Sequence, residues 1–330
     1  MPRLARAPAS PFTGSNRTQH GTGAARPLRP WLGLVVAASL LGCETDWTAP
    51  AQLQTLVRAI APSETPLRTN LRQILGTIAQ RASRLNPGCP PDMARIGTVC
   101  VDRFEAHVVE QVGGVERVHP YNRPLCRDEE NVGPGAMRRR RAEAACEDRL
   151  KRIKARSSPD VFPQGYISQV QAQRACVNAG KRLCTSAEWK SGCVGRGKTP
   201  LPYGTRLIRG ACNNGKPHVL SMLHGASPDG WSWAAFNDER LNAKEGFLEK
   251  TGKLMNCVSD YGLFDMVGNL QEWVADRVRT GSNPGRGVFL GSHFGNQGDE
   301  SGFGCDYQIR AHDPSYHDYS IGFRCCRNVQ

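Results

Sequence analysis

The chain has 330 residues, of which 39% are hydrophobic, with 35 glycines, 22 prolines and a formal net charge of +13. This length allows one sizeable domain with appendages or two small domains, and the glycine and proline content argues against long uninterrupted helices or strands. The charge does not indicate nucleic-acid binding, because the basic residues are scattered apart from Arg138–Arg141 and no aromatic stacking motif accompanies that run. Thirteen cysteines predict an oxidising compartment.

Residues 1–42 are predicted to be a lipoprotein signal peptide. Five arginines and no acid lie in this segment, and Trp31–Leu41 is an apolar stretch too short to span a bilayer but typical of a signal peptide. A buried helix is the alternative. The stretch ends in Leu40-Leu41-Gly42-Cys43, which resembles the bacterial lipobox. The resemblance implies lipidation at Cys43 and an exported protein anchored by lipid to the bacterial cell envelope, at either membrane. Twelve cysteines then remain, an even number suited to six disulfides.

Residues 43–88 are predicted to be a tether that contains an amphipathic helix. Thr65-Pro66 is typical of a helix start, and Asn86-Pro87-Gly88 of an end. One apolar face follows at helical spacing and consists of Leu67, Leu71, Ile74, Leu75 and Ile78. We expect this face to pack on the globular domain or on a partner helix.

The globular domain is predicted to run from residue 89 to residue 330. Cys89 and Cys100 are the simplest local disulfide pair, and an alternating strand follows them. Residues 122–160 are interpreted as an insertion with a charged helix, which a disulfide between Cys126 and Cys146 would close on itself. The run Arg138–Arg141 is interpreted as a solvated face, with contact to anionic lipid or polysaccharide as the alternative.

Two helices are predicted in residues 166–194. Ser168 is an N-cap for a helix that Gly180 ends, and Thr185 with Glu188 forms a capping box. The following residues, 195–256, are loop-rich. There a disulfide between Cys212 and Cys257 is predicted, and three aromatic residues are assigned to the core or to a groove: Trp231, Trp233 and Phe236.

Residues 261–276, YGLFDMVGNLQEWVAD, are the most informative stretch. Gly268-Asn269 predicts a turn, after which Leu270, Trp273 and Val274 resume at helical spacing. Asp265 and Glu272 flank the turn, and carboxylates that converge with backbone carbonyls are the ligands that calcium prefers. The alternative is an amphipathic turn and helix whose carboxylates face water.

This stretch resembles the formylglycine-generating (sulfatase-modifying factor) family, whose pattern is G-x-x-D/N-x-x-G-N-x-x-E-W. Cys100–Glu105, residues 176–189 and Ile321–Cys325 match further motifs of that family. The resemblance implies a single, irregular, disulfide-rich α+β domain related to C-type lectins. It also implies structural calcium, held by the Asp265 and Glu272 side chains and the Gly268 and Leu270 carbonyls, with Asn213 near a second calcium.

The resemblance further implies two disulfides, Cys176–Cys325 and Cys193–Cys305. If both form, Cys184 and Cys326 remain as a neighbouring pair. The pairing of the cysteines in disulfides does not follow from the sequence alone.

The family's enzymes carry G-G-S-x-x-C-x4-C, whose two cysteines bind copper(I). In the register set by Gly291-Ser292, those positions fall at Gly295 and Glu300, and five residues further lies Cys305. Copper(I) selects sulfur ligands, so we expect neither a copper site nor formylglycine synthesis. An iron site at four residues is also weighed and not favoured, because the histidines lie in a loop of alternating polar and aromatic residues: His293, His312, Asp313 and His317.

The expected protein is therefore an envelope lipoprotein that binds a peptide or glycan, with calcium as its structural cofactor and no nucleic-acid partner. Two alternatives stay open. One is an atypical sulfatase-modifying oxidase or an iron-dependent oxygenase. The other is a structural envelope protein that docks a partner through its helical tether.

Overall fold

The computed structural model describes residues 87–126, 136–296 and 298–330. The predicted signal peptide, the lipidation site at Cys43 and almost all of the predicted tether lie outside these residues. The described part contains strands β1 Met93–Ile96, β2 Val99–Asp102, β3 Ala106–Val112, β4 Val115–Val118, β5 Ile153–Ser157, β6 Arg182–Leu183, β7 Gln271–Arg277, β8 Gly287–Leu290, β9 Gln308–Ile309, β10 Ile321–Phe323 and β11 Cys325–Asn328. Its helices are α1 Ala136–Arg152, α2 Gln169–Asn178, α3 Ser186–Val194, α4 Val219–His224, α5 Trp233–Phe236 and α6 Arg240–Ala243.

The first sheet joins the two ends of the domain. Its order is β1-β2-β11-β6, and every pair is antiparallel. Cys326 lies opposite Val101, and Cys325 lies opposite Leu183. The last strand therefore completes a sheet that begins at the start of the domain.

The second sheet carries the most informative stretch of the sequence. Its order is β10-β7-β8-β9, with β10 parallel to β7 and an irregularity in the register of β7 and β8 between Trp273 and Arg277. The helical spacing predicted after Gly268-Asn269 is wrong, because residues 271–277 form a strand. Four consecutive residues at its start, 271–274, are buried, so pairing with two neighbouring strands overrides the local pattern.

The third sheet has the order β4-β3-β5, with both pairs antiparallel. It changes the interpretation of residues 122–160. Helix α1 lies in this segment as expected, but Ile153–Ser157 pairs with β3 from Ala106 to Glu110. The end of the predicted insertion is therefore a structural strand of the domain.

Both predicted caps of the central helices are present. Ser168 caps α2 with Gln171 as the reciprocal partner, and Thr185 caps α3 with Glu188. Each side chain accepts from a free backbone N–H at the start of its helix, which stabilises that end. Trp189 of α3 is thereby placed in the core, where it is fully buried.

Six disulfides connect these elements, and they join the pairs named in the sequence analysis. They are Cys89–Cys100, Cys126–Cys146, Cys176–Cys325, Cys184–Cys326, Cys193–Cys305 and Cys212–Cys257. Three of them tie the central helices and β6 to the C-terminal part of the chain. Among the helices of the described residues, none has the length and apolar character needed to cross a membrane.

Candidate functional site

A buried ion pair lies at the centre of the site. The Arg324 guanidinium donates to both carboxylate oxygens of Glu272, at 2.7 and 2.6 Å, and both residues are fully buried. The Trp189 indole donates a third hydrogen bond to Glu272, at 2.7 Å. Arg324 also donates to the carbonyls of Asp102 and Phe264. The second sheet, helix α3 and the loop before β7 therefore meet at Glu272.

Two further carboxylates lie near this pair. Asp265 accepts from the Gly252 N–H at 2.7 Å, and Glu105 accepts from the Leu270 N–H at 2.9 Å and from the Asn269 side chain at 2.5 Å. Burial raises the pKa of Asp265 to about 7, against the lowering effects of the Gly252 N–H and of Arg324. Burial and then the charges of Asp265 and Glu272 raise the pKa of Glu105 well above its ordinary value.

Glu105 was not assigned to a site in the sequence analysis, although it ends the motif Cys100–Glu105. Its place in the cluster depends on a contact between residues 165 positions apart, which local spacing cannot indicate. With Glu105 included, three buried carboxylates face one guanidinium. Either protons or a cation must balance the excess negative charge, because an uncompensated buried charge is costly.

Gly268-Asn269 holds the turn before β7. Gly268 has φ +83°, and a Cβ at this position would lie 2.4 Å from the carbonyl oxygen of Asn213. Only glycine permits this approach without a shift. The Asn213 carbonyl accepts from the Asn269 N–H at 2.7 Å, and the Asn213 amide donates to the Asn269 side chain at 2.7 Å. Asn213 therefore packs directly on the stretch that the sequence analysis assigned to calcium.

The chemistry of these residues fits a hard cation. The Asn213 side-chain oxygen is buried and has no hydrogen-bond donor among the described residues. Asp265 keeps lone pairs beyond its bond from Gly252, whereas Glu272 shares its oxygens with Arg324 and Trp189. The described residues contain no group of three or more His, Cys, Asp or Glu side chains placed to hold a metal. A cation here would therefore need carbonyl and amide oxygens as well as carboxylates.

The positions of the family's reactive thiols have a different character. Gly295 is partly buried, and a Cβ at this position would lie 2.8 Å from Cε1 of His293. The His293 ring accepts from the Gly295 N–H through Nδ1, at 3.0 Å. Glu300 is exposed. Cys305 is bonded to Cys193, and every cysteine of the described residues is in a disulfide. An imidazole therefore lies where a side chain at position 295 would begin.

Aromatic rings surround His293. Its ring centroid lies 5.4 Å from that of Phe294 and 5.8 Å from that of Tyr319. Burial lowers the pKa of His293 to about 4, so its imidazole is neutral at pH 7. The ring of Trp231 lies 4.8 Å from that of His218, whose side chain is exposed. The rings of Trp231 and His218 are therefore available for contact at the surface.

The residues weighed for iron have separate partners. The His312 ring stacks on Tyr316 at 3.9 Å, and His317 shares a hydrogen bond with Asn237 at 2.8 Å. Asp313 accepts from the Ser315 N–H and hydroxyl groups. His312 and Asp313 contact residues of their own loop, whereas His317 contacts a distant segment of the chain, and His293 contacts a different set of rings.

Comparisons with known proteins agree with these motifs. A family model described as a sulfatase-modifying factor enzyme 1-like domain matches residues 95–329. Inactive C-alpha-formylglycine-generating enzyme 2 of Bos taurus is 28% identical over 171 residues, which cover 50% of this chain and 50% of that protein. The chain thus spans about half the length of this curated relative.

Two solved structures are also similar. CarF aligns with a TM-score of 0.36 and 13% identity over 70% of this chain and 87% of that chain. Treponema denticola variable protein 1 aligns with a TM-score of 0.37 and 11% identity over 72% of this chain and 98% of that chain. The domain is a mixed helix-and-sheet unit with six disulfides, and its family match covers well over half of the sequence. This chain belongs to the sulfatase-modifying factor enzyme 1-like (FGE-sulfatase) family.

Proposed function

We propose that this protein is an exported lipoprotein whose domain binds a peptide or a glycan at the cell envelope and does not form formylglycine. The observation that carries the proposal is the chemistry at the two reactive positions. Gly295 and Glu300 offer no thiolate, and the described cysteines are all in disulfides. Copper(I) requires soft sulfur ligands, so this set of residues cannot supply the family's oxygen-activating site.

Two further observations support the proposal. The Bos taurus relative is itself named an inactive enzyme. Six disulfides suit an oxidising compartment, which agrees with the export signal and the lipobox expected in residues 1–43. The lipid anchor at Cys43 lies outside the described residues and is supported by the sequence pattern alone.

The binding surface is proposed to lie around Trp231, which packs against the buried cluster that contains Phe294 and Tyr319. Trp231 and Trp233 are partly exposed, and Ser232 caps the short helix α5, which carries Trp233. Aromatic side chains present large contact areas with few rotatable bonds, so they bind ligands at low entropic cost. Neutral imidazole and indole groups add hydrogen-bond donors without charge.

Calcium is proposed as a structural ion in this domain. Asp265 has coordination capacity left, and the Gly268 and Leu270 carbonyls belong to the same turn. The buried side-chain oxygen of Asn213 is proposed as a ligand of a second calcium. When bound, calcium would neutralise part of the buried negative charge. Glu272 would contribute only as a ligand shared with Arg324.

Purified full-length protein provides the test. We expect binding in a screen of peptides and glycans, loss of that binding in Trp231→Ala, and no loss in Met137→Ala, a control on exposed helix α1. Metal content and oxygen uptake are measured on the same sample with a cysteine-containing peptide. Stoichiometric copper or iron with oxygen uptake would overturn the proposal in favour of an oxidase or oxygenase. Binding that both variants retain would place the ligand away from the surface around Trp231.

A further inference from the structure

A long stretch of the domain carries basic residues without any acid. From Trp189 to Pro228 there is no Asp or Glu, and the basic residues are Lys190, Arg196, Lys198, Arg206, Arg209 and Lys216. Lys190 pairs with Asp306 and Lys216 with Glu249. The four between them are exposed. In the part of the chain that the structure describes, neither Arg206 nor Arg209 forms an ion pair.

The middle of this stretch is a loop, residues 205–210, in which every residue is exposed. Between its two arginines lie Leu207, with 47% of its surface exposed, and Ile208, with 59% exposed. We refer to Arg206-Leu207-Ile208-Arg209 as the RLIR loop. The transfer of large aliphatic side chains out of water is favourable in free energy. Their exposure at the tip of a charged loop therefore does not stabilise the isolated domain.

The domain presents this loop on fixed supports. Leu201 and Gly204 exchange backbone hydrogen bonds before it, and the Ala211 N–H donates to the Ile208 carbonyl at 3.0 Å after it. Leu201 and Cys212 are buried, and Cys212 is bonded to Cys257. The RLIR loop therefore leaves the core and returns to it at two anchored points, with its apolar side chains in between.

We propose that the RLIR loop is a membrane-contact loop that inserts Leu207 and Ile208 into the surface of an anionic phospholipid bilayer. Arg206 and Arg209 would lie at the level of the lipid phosphates, because anionic headgroups attract basic residues within a Debye length. The two aliphatic side chains would enter the boundary between headgroups and acyl chains. This contact would fix which face of the domain lies towards the membrane, independently of a lipid at Cys43.

Two other exposed surfaces lack this combination. Helix α1 keeps a net positive charge, because its seven basic residues outnumber Glu143, Glu147 and Asp148, but among its described side chains Met137 is the one large apolar group that is exposed. Strand β4 exposes Val115 and Val118, but Glu116 lies between them. A hydrated anionic polysaccharide would attract the two arginines equally well. It offers no apolar layer for Leu207 and Ile208, so the bilayer is the favoured partner.

Trypsin accessibility tests the proposal on the full chain. The protein is reconstituted into vesicles of phosphatidylcholine alone or of phosphatidylcholine mixed with phosphatidylglycerol, and cleavage is followed by mass spectrometry. A lipid at Cys43, or the apolar stretch Trp31–Leu41 where the signal peptide is retained, would bring the protein to both vesicles alike. We expect cleavage after Arg206 and Arg209 to be about tenfold slower on the anionic vesicles. Cleavage after Arg279, in the exposed loop between β7 and β8, should be unchanged.

Paired variants separate insertion from simple charge attraction. Leu207→Ser with Ile208→Ser should remove the protection, while Val115→Ser with Val118→Ser should keep it. Equal cleavage on both vesicles would overturn the proposal. Protection that survives in the Leu207→Ser/Ile208→Ser variant, or that soluble dextran sulfate reproduces, would also overturn it and would assign the loop to polyanion binding.

Discussion

Residues 261–276 and residues 291–305 contact each other but differ in what holds them. The Phe294 N–H donates to the Asn269 carbonyl at 3.0 Å, so the two regions share a boundary. On the first side, Glu272 and Asp265 are buried and each accepts hydrogen bonds from other parts of the chain. On the second side, Glu300 is exposed. The first region therefore carries a buried charge network, whereas position 300 in the second region can change without disturbing that network.

This difference shows why the scaffold does not depend on the side chain at position 300. A side chain that satisfies several buried groups cannot be replaced without leaving those groups unpaired, which is expensive. A residue at the surface carries no such constraint. The absence of thiols at positions 295 and 300 is therefore compatible with an intact ion pair between Glu272 and Arg324.

The largest effect is expected from breaking that ion pair. Arg324→Met removes the guanidinium and leaves Glu272 buried beside two other carboxylates. We expect a loss of about 3–5 kcal/mol in the free energy of unfolding, measured by urea denaturation with a calcium chelator present. The double variant Arg324→Met/Glu272→Gln should lose less than the sum of the single losses, because the two residues act as one unit.

A matched control is Arg240→Met, which removes the exposed partner of Asp238. We expect little change there, since solvent screens an exposed pair. If Arg324→Met were as stable as the parent protein, the comparison between the two regions would fail, because the buried side would prove as replaceable as the exposed one.

The next largest effect is the stabilisation of the fold by calcium, which should depend on pH through Asp265. Its raised pKa means that the folded state holds a proton which the unfolded state releases at lower pH. Without calcium, stability from this group is present at about pH 4 and is lost as pH rises towards 7. Calcium should reverse this trend by taking the place of the proton. At saturating calcium and about pH 8 we expect a gain of about 2–3 kcal/mol, and at about pH 5 a much smaller one.

Thermal unfolding with calcium or chelator measures this effect, with an expected rise in Tm of roughly 5–10 °C at the higher pH. Asp265→Asn should remove the difference, whereas Asp306→Asn, an exposed control, should keep it. The same calcium response in Asp265→Asn would place the ion elsewhere. Glu272→Gln is a poorer probe, since it also breaks the pair with Arg324.

Several features of the fold could be predicted because their causes are local. The caps at Ser168 and Thr185 satisfy backbone groups within three residues, so the sequence pattern alone indicates them. Strand β7 was predicted as a helix because its apolar spacing suits either structure, and the choice depends on pairing with β8 and β10. The disulfides that tie distant elements together were expected only through the family resemblance.

The candidate site could be predicted only in part. Asp265, Gly268 and Glu272 lie in one motif, and Asn213 does pack against it. Arg324 is a second partner of Glu272, from 52 positions away, and Glu105 joins through Asn269 and Leu270. Their roles depend on chain folding rather than on spacing. The position of the His293 ring beside Gly295 likewise depends on how this loop folds, which the sequence pattern does not indicate.

A smaller effect is expected at Gly295. Gly295→Ala places a methyl group against the His293 ring, which must move, at a cost of about 1–2 kcal/mol. In a His293→Ala background the same change should cost nothing or stabilise slightly, because it reduces the freedom of the unfolded chain. A double-mutant cycle measured by denaturation gives the coupling. Additive losses would show that the imidazole does not fill the space of a side chain at position 295.

The smallest effect is expected at the second reactive position. Glu300→Cys should change the free energy of unfolding by no more than about 0.5 kcal/mol, because the side chain is exposed. The new thiol should give no copper-dependent oxygen uptake with a cysteine-containing peptide, since copper(I) needs a second sulfur and His293 packs beside position 295. Glu239→Cys, another exposed position, is the control for nonspecific thiol oxidation. Oxygen uptake in Glu300→Cys above that control would mean that one thiol restores the reaction, and the exposed region would then retain more of the family's chemistry than its residues indicate.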